Sequence, residues 1–118
     1  MLHNCIFCKI ARKEVPADIV YEDKDIVAFY DLHPLAPVHI LVIPRKHIAS
    51  IADISKEDVP LIGKLIFTAK RIAEDLKISK NGYKLLFRVG EHGGQEVGHI
   101  HLHLIGGTRL REDIRPIT

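Results

Sequence analysis

Residues 99–105 alternate histidine with aliphatic side chains, His99-Ile100-His101-Leu102-His103-Leu104-Ile105, and no other run constrains the fold as tightly. In extended backbone, successive side chains point to opposite faces, so Ile100, Leu102 and Leu104 point into a core and His99, His101 and His103 line the other side. Such a strand needs apolar cover on its aliphatic face. Val59, Ile62, Leu65, Ile66, Ala69, Ile72, Ala73 and Leu76 fall at three- and four-residue spacing, which predicts one long helix able to supply that cover. Ser55-Lys56-Glu57-Asp58 reads as its capping box, and Pro60 is expected to cost one early backbone bond and tilt the first turn.

The remaining strands follow from β-branched and aromatic runs. Ile19-Val20-Tyr21-Glu22 and Ile26-Val27-Ala28-Phe29-Tyr30 flank the polar Asp23-Lys24-Asp25 and predict a hairpin. The prolines of Asp31–Pro37 make that stretch a loop, after which His39–Ile43 is a strand ended by Pro44. Asn81-Gly82 signals a turn, Tyr83–Val89 a strand, and residues 90–98 a glycine-rich loop in which Gly93-Gly94 reach positive φ cheaply. Strands outnumber helices and connections are short, so the class is α+β with antiparallel neighbours. With 118 residues, 47% of them hydrophobic, the chain buries one core, and a single domain over 1–118 is expected.

Composition narrows the function classes. The formal charge is +2 with both signs mixed along the chain, so no basic stripe points to a nucleic-acid partner. No stretch approaches the roughly 18 apolar residues of a membrane span, and Met1–Cys5 lacks a basic leader, which predicts a cytoplasmic protein. Cys5 and Cys8 are too few for a disulfide framework; buried small residues, a redox pair or half of a zinc site all remain open.

A lone histidine is commonly a satisfied structural residue, but three on one face make that unlikely for all of them. One ion held by all three is disfavoured, because at roughly 3.3 Å rise per residue His99 and His103 stand about 13 Å apart along a strand. Chemistry on a phosphate fits better. A neutral imidazole is a nucleophile, a protonated neighbour serves a leaving group, and backbone N–H groups of Gly93-Gly94-Gln95 suit non-bridging phosphate oxygens.

His99-Ile100-His101-Leu102-His103-Leu104-Ile105 resembles the His-x-His-x-His motif of the histidine triad nucleotide-binding proteins. Cys5-Ile6-Phe7-Cys8-Lys9-Ile10, Phe29-Tyr30-Asp31-Leu32, the segment from Ala36 to Ile48 and Gly93-Gly94-Gln95-Glu96-Val97 match the same family in order and spacing, over about residues 4–107 with a tail at 108–118. The resemblance implies a five-stranded antiparallel sheet with one short and one long helix, paired into a homodimer that continues the sheet. It implies hydrolysis of purine nucleoside phosphoramidates or related nucleoside monophosphate conjugates through a nucleotidyl-histidine intermediate, with no metal required for catalysis. Within the triad His99, His101 and His103, His101 would be the nucleophile and His103 would serve the leaving group and phosphate, with His39 as a fourth, supporting histidine. Asp31 would accept from the ribose hydroxyls, and Ile6, Phe7, Ile10, Phe29 and Leu32 would form an apolar slot for the base. Gly94 would belong to the nucleotide-binding loop, and Gln95, Glu96 and Val97 would offer mainly backbone amides. Some members of the superfamily also bind zinc, and the corresponding positions are Cys5, Cys8, His47 and His99, a closed tetrahedral set of the structural kind.

The chain departs from the family pattern in places. Arg88 stands where many relatives have asparagine, which leaves its partner in the nucleotide site and the leaving-group preference open, and Gly98 stands where an aromatic residue is common. Leu110–Thr118 does not follow the longer-tailed relatives. Rival readings are a nucleotide-sensing or partner-binding module with little turnover, and a dinucleotide polyphosphate hydrolase or nucleotidyl transferase.

Overall fold

The computed structural model describes residues 4–117. A short helix, α1 (Ile6–Ala11), is followed by β1 (Ile19–Glu22), β2 (Ile26–Tyr30) and β3 (Val38–Pro44). Two 3-10 turns lead into the long helix α2 (Val59–Asp75), and β4 (Tyr83–Leu86) and β5 (Leu102–Gly106) complete the fold. Among the described residues the five strands form one antiparallel sheet in the order β1-β2-β3-β5-β4. Among the described residues no helix is long and apolar enough to cross a membrane.

The hairpin forms where its sequence predicts it. Asp23 Oδ1 accepts from the backbone amides of Asp25 and Ile26, both at 2.8 Å, and so closes the turn between β1 and β2. Strands β2 and β3 are buried on both faces, which splits the core in two. Ile26, Ala28, Ile40, Val42, Ile100, Leu102 and Leu104 pack beneath Leu65, Ala69, Ile72 and Ala73 of α2. On the opposite face, Val27, Phe29, Leu41 and Ile43 pack against Phe7, Ile10 and Ala11 of α1. The histidines stand on this second face, where Phe7 of α1 lies against the rings of His99 and His101.

The start of α2 differs from the expectation for Pro60. The capping box forms, with Asp58 Oδ2 accepting from Ser55 N at 2.9 Å, but residues 56–58 are a 3-10 turn and the α-helix begins at Val59. Pro60 therefore lies in the first turn, where the missing N–H has no intrahelical partner to lose. The apolar stripe is also divided: Leu65, Ala69, Ile72 and Ala73 are buried, whereas Val59 and Ile66 are 57% and 44% exposed, and Phe67, off the stripe, is 57% exposed beside them.

Two strands are shorter than the sequence predicts. The last begins at Leu102 rather than His99, because β3 runs out of partners: Val42 pairs with Leu102, and two residues on Pro44 has no N–H to continue the ladder. Ile100 N instead donates to Ile48 O at 2.8 Å. Strand β4 ends at Leu86, opposite His103, rather than at Val89.

Candidate active site

Three of the four histidines singled out from the sequence meet in one place. The ring centroids of His101 and His103 are 4.9 Å apart and those of His103 and His39 5.2 Å. Antiparallel pairing of β3 with β5 creates this arrangement, since His39 pairs with Ile105 and Leu41 with His103, leaving the two rings on one face of neighbouring strands. His101 Nδ1 donates to His99 O at 2.8 Å. Its Nε2 therefore keeps the lone pair. Phe7 of α1 meets the His101 ring edge-on at 5.1 Å and Phe29 at 5.5 Å.

A line of polar contacts runs outward from His103. His39 Nε2 lies 2.9 Å from His103 Nδ1 and 3.4 Å from Asp31 Oδ2, while Leu35 N donates to His39 Nδ1 at 3.1 Å. Arg88 Nη1 lies 3.0 Å from His103 Nε2. Burial pushes the His39, His101 and His103 rings below the usual imidazole range, and the Arg88 charge pushes each the same way; His103 falls to about 3. All three are neutral at neutral pH in the free protein, which is the form a nucleophile needs. The partners Leu35 N and His99 O are backbone groups that no residue pattern marked.

The glycine-rich loop is held by Gln95. Its Nε2 donates to Ala49 O at 2.7 Å and Val97 O at 2.9 Å, and its Oε1 accepts from Gly90 N at 3.0 Å. The amides of Gly94 and Gln95 donate within the loop to Glu91 O and Gly90 O, both at 3.0 Å, so these two do not face a ligand as expected. The glycine pair is also used differently from the expectation. Gly94 has φ +79°, but Gly93 has an ordinary φ and is needed because a Cβ would stand 2.4 Å from Val89 O.

Of the five residues expected to form the base slot, Phe7, Ile10 and Phe29 are buried together, and Val97 packs on them. Ile6 is 44% exposed and Leu32 88% exposed, so Leu32 stands off from the cluster because the Asp31–Pro37 loop carries it outward.

Cys5, Cys8, His47 and His99 form a second cluster in which one ligand atom from each lies within 4.8 Å of all the others. Cys5 caps α1, its Sγ accepting from Cys8 N at 3.4 Å, which brings both sulfurs to one end of a single turn. Cys8 Sγ is 3.2 Å from His47 Nδ1, and Cys5 Sγ is 3.4 Å from His99 Nδ1. His99 Nε2 donates to Pro44 O at 2.8 Å, so Nδ1 turns its lone pair to the sulfurs, as a metal-ligating histidine requires. Burial and the neighbouring Cys5 push the Cys8 thiol up, a strain that a cation between the sulfurs would reverse. The donor set fits a tetrahedral metal ion. Of the three histidines outside both clusters, His33 and His92 are exposed and His3 lies outside the described residues.

Comparison with known proteins identifies the family. Residues 4–111 match the family model described as "Scavenger mRNA decapping enzyme C-term binding". The purine nucleoside phosphoramidase of Escherichia coli K12 is 47% identical over 110 residues, covering 93% of this chain and 92% of that protein. The chain belongs to the histidine triad (HIT) family. Among solved HIT structures, a family hydrolase from Legionella pneumophila superposes with a TM-score of 0.92 at 49% identity, covering 95% of this chain and all of that one. A histidine triad protein from Clostridium difficile gives 0.91 at 40% identity, covering 93% and 96%.

Proposed function

We propose that this HIT protein is a nucleotide hydrolase that cleaves purine nucleoside phosphoramidates, or related nucleoside monophosphate conjugates, through a nucleotidyl-histidine intermediate. The observation that carries the reading is the His101 ring, whose Nδ1–H is tied to His99 O and whose Nε2 lone pair is therefore free to attack. The 47% identity with a purine nucleoside phosphoramidase supports the substrate class.

The chemistry divides into two displacements at the α-phosphorus. His101 Nε2 forms a bond to phosphorus as the P–N bond to the leaving amine breaks, and the amine departs with a proton from His103. A bound phosphate's negative charge opposes the lowering effect of Arg88 and lets His103 hold that proton. Water then attacks phosphorus, returns a proton to His103 and frees His101, so nucleoside monophosphate and amine are the products. As the bond forms, positive charge grows on the His101 ring and strengthens its hydrogen bond to His99 O. His39 orients His103, and Asp31 accepts from the ribose hydroxyls. Phe7, Ile10 and Phe29 form the floor under the base, with Ile6 and Leu32 as its rim. Gly94 and Gln95 shape the loop, Glu96 and Val97 supply amides to the phosphate, and Arg88 takes part in nucleotide binding.

Cys5, Cys8, His47 and His99 are assigned to a structural zinc ion, which when bound would tie the N-terminal segment to the triad without taking part in the reaction. Such a site needs reduced thiols, which suits the cytoplasm. A homodimer is assigned to the exposed Val59, Ile66 and Phe67 of α2 together with the edge strand β4. No nucleic-acid or membrane partner is assigned.

The test is turnover of adenosine 5′-phosphoramidate by the purified protein beside its His101→Asn variant, with AMP binding measured for both. Turnover by the wild type that disappears in the variant while binding persists is expected. Binding without turnover in the wild type would replace this reading with a nucleotide-sensing role.

A further inference from the structure

Proton counting singles out Arg88. Leu35 N lies 3.1 Å from His39 Nδ1, and a backbone amide only donates, so that nitrogen holds its lone pair and the neutral ring carries its proton on Nε2. His39 Nε2 then donates across 2.9 Å to His103 Nδ1, which puts the His103 proton on its own Nε2. That nitrogen is 3.0 Å from Arg88 Nη1, and a guanidinium has donors only. Moving the His103 proton to Nδ1 gives no relief, because it would then face the His39 proton across the 2.9 Å contact. Asp31 Oδ2, 3.4 Å from His39 Nε2, accepts that same proton and removes none. The line Leu35, His39, His103, Arg88 contains one donor too many. Leu35 N is fixed in the backbone, whereas Arg88 is the end of a long side chain and is the member free to re-aim.

Two donors facing each other are the ligand-free form of a site for an acceptor. Arg88 has room for it: a Cβ on Gly94 would lie 3.4 Å from Arg88 Cδ, so the glycine leaves the guanidinium stem uncrowded. Arg88 also lines a cavity of about 990 Å³ beneath the C-terminal segment, together with Lys84, Arg111 and Arg115. Lys84 is paired with Glu112 and Arg115 with Asp113, while Arg88 and Arg111 form no ion pair among the described residues. The cavity's four cationic side chains thus outnumber its three carboxylates, Glu91, Glu112 and Asp113, so its balance favours an anion beside Arg88.

We propose that Arg88 determines leaving-group specificity: it recognises an anionic oxygen, of a carboxylate or a phosphate, carried by the group that departs, while His103 Nε2–H serves the leaving nitrogen. The proposal rests on the hydrolase reading of the His101 site. Guanidinium pairs strongly with an oxyanion through charge-assisted bonds, and an uncharged leaving group leaves the surplus donor without a partner.

The experiment uses three adenosine 5′-phosphoramidates with the same scissile P–N bond, those of ethylamine, alanine and 2-aminoethyl phosphate. Their kcat/KM values are compared in the wild type, Arg88→Gln and Arg88→Lys. The wild type is expected to favour an anionic conjugate over the ethylamine one by about tenfold or more, the factor that some 1.4 kcal/mol of charge-assisted bonding yields. Arg88→Gln brings this ratio close to one and Arg88→Lys retains part of it; the larger anionic arm tells carboxylate from phosphate. A wild-type ratio near one, or a ratio that Arg88→Gln leaves unchanged, overturns the proposal. If no conjugate is cleaved although AMP binds, the hydrolase reading fails, and the same ratios taken from Kd values of the intact conjugates decide the role of Arg88.

Discussion

His99 and His103 are four residues apart on one short segment, yet each belongs to a different cluster with a different chemistry. His99 turns Nδ1 toward two sulfurs and a third ligand, while its Nε2–H is spent on Pro44 O. His103 has both nitrogens in a line of ring and guanidinium contacts with His39 and Arg88. In the first cluster lone pairs converge on a point, which is a cation site. In the second, N–H groups and lone pairs alternate from Leu35 N to His103 Nδ1, and the line ends on two donors, His103 Nε2–H and Arg88. The difference comes from what lies opposite each ring: the N-terminus of α1 with its thiols in one case, strand β3 with His39 in the other. His101 stands between them and uses the backbone of the first cluster to aim its ring into the second.

If the two clusters divide the labour in this way, breaking one leaves a different signature from breaking the other. The largest effect is expected from His101→Asn, which should lower turnover by about a thousandfold or more, as loss of a nucleophile does, while metal content per chain stays unchanged by elemental analysis. A parallel fall in metal content would show that the clusters are not separable. Cys8→Ser, or chelation of the wild type, should act on the fold: metal content falls, and Tm drops by about 5 °C or more as α1 loses its tie to residue 99. An unchanged Tm would remove the structural role of the cluster.

The second cluster predicts an acid response of its own. His103 has a folded pKa of about 3 against 6.5 for the free side chain, so between these values the unfolded chain binds more protons than the folded one. Stability is therefore full above about 6.5 and is lost as pH falls toward 3. In a Cys8→Ser background, which takes the metal cluster out of the titration, His103→Gln should flatten the stability-versus-pH slope by up to about 1.4 kcal/mol per pH unit. Urea unfolding across that range measures it, and an unaltered slope would mean that His103 is not held neutral by its surroundings. The smallest effect concerns Asp31. Asp31→Asn should reduce the preference for AMP over the 2′-deoxy nucleotide from about tenfold to near parity in equilibrium binding, since a charged acceptor is exchanged for a neutral one.

Much of this arrangement is legible in the residues. The β1–β2 hairpin follows from two β-branched runs around Asp23-Lys24-Asp25, and the strand and helix faces of 100–104 and 59–76 follow from periods of two and 3.6. Where the reading departs, the competing cause is a partner distant in sequence. His99–His101 has the alternation of a strand but lacks one, because the residue opposite is Pro44 and the ring of His101 bonds back to His99 O. Val59 and Ile66 obey helical periodicity yet lie outside the intramolecular core. Leu32 looks like a slot residue, but the loop bearing it is set by Pro34 and Pro37. The clusters were legible as residue types and as matches to a family pattern. Their hydrogen-bond directions were not, since these depend on backbone groups such as Leu35 N, Pro44 O and His99 O that every sequence possesses.

The sequence by itself determined the class of fold, the pairing of an aliphatic face with a histidine face, and the chemistry that imidazole and thiol groups bring, because periodicity and side-chain identity are local properties. Tertiary structure alone decided which nitrogen of each ring is free and that Arg88 meets His103. It also decided that Cys5 and Cys8 face His47 and His99, because proton placement and ligand convergence depend on distances between segments as many as 94 residues apart.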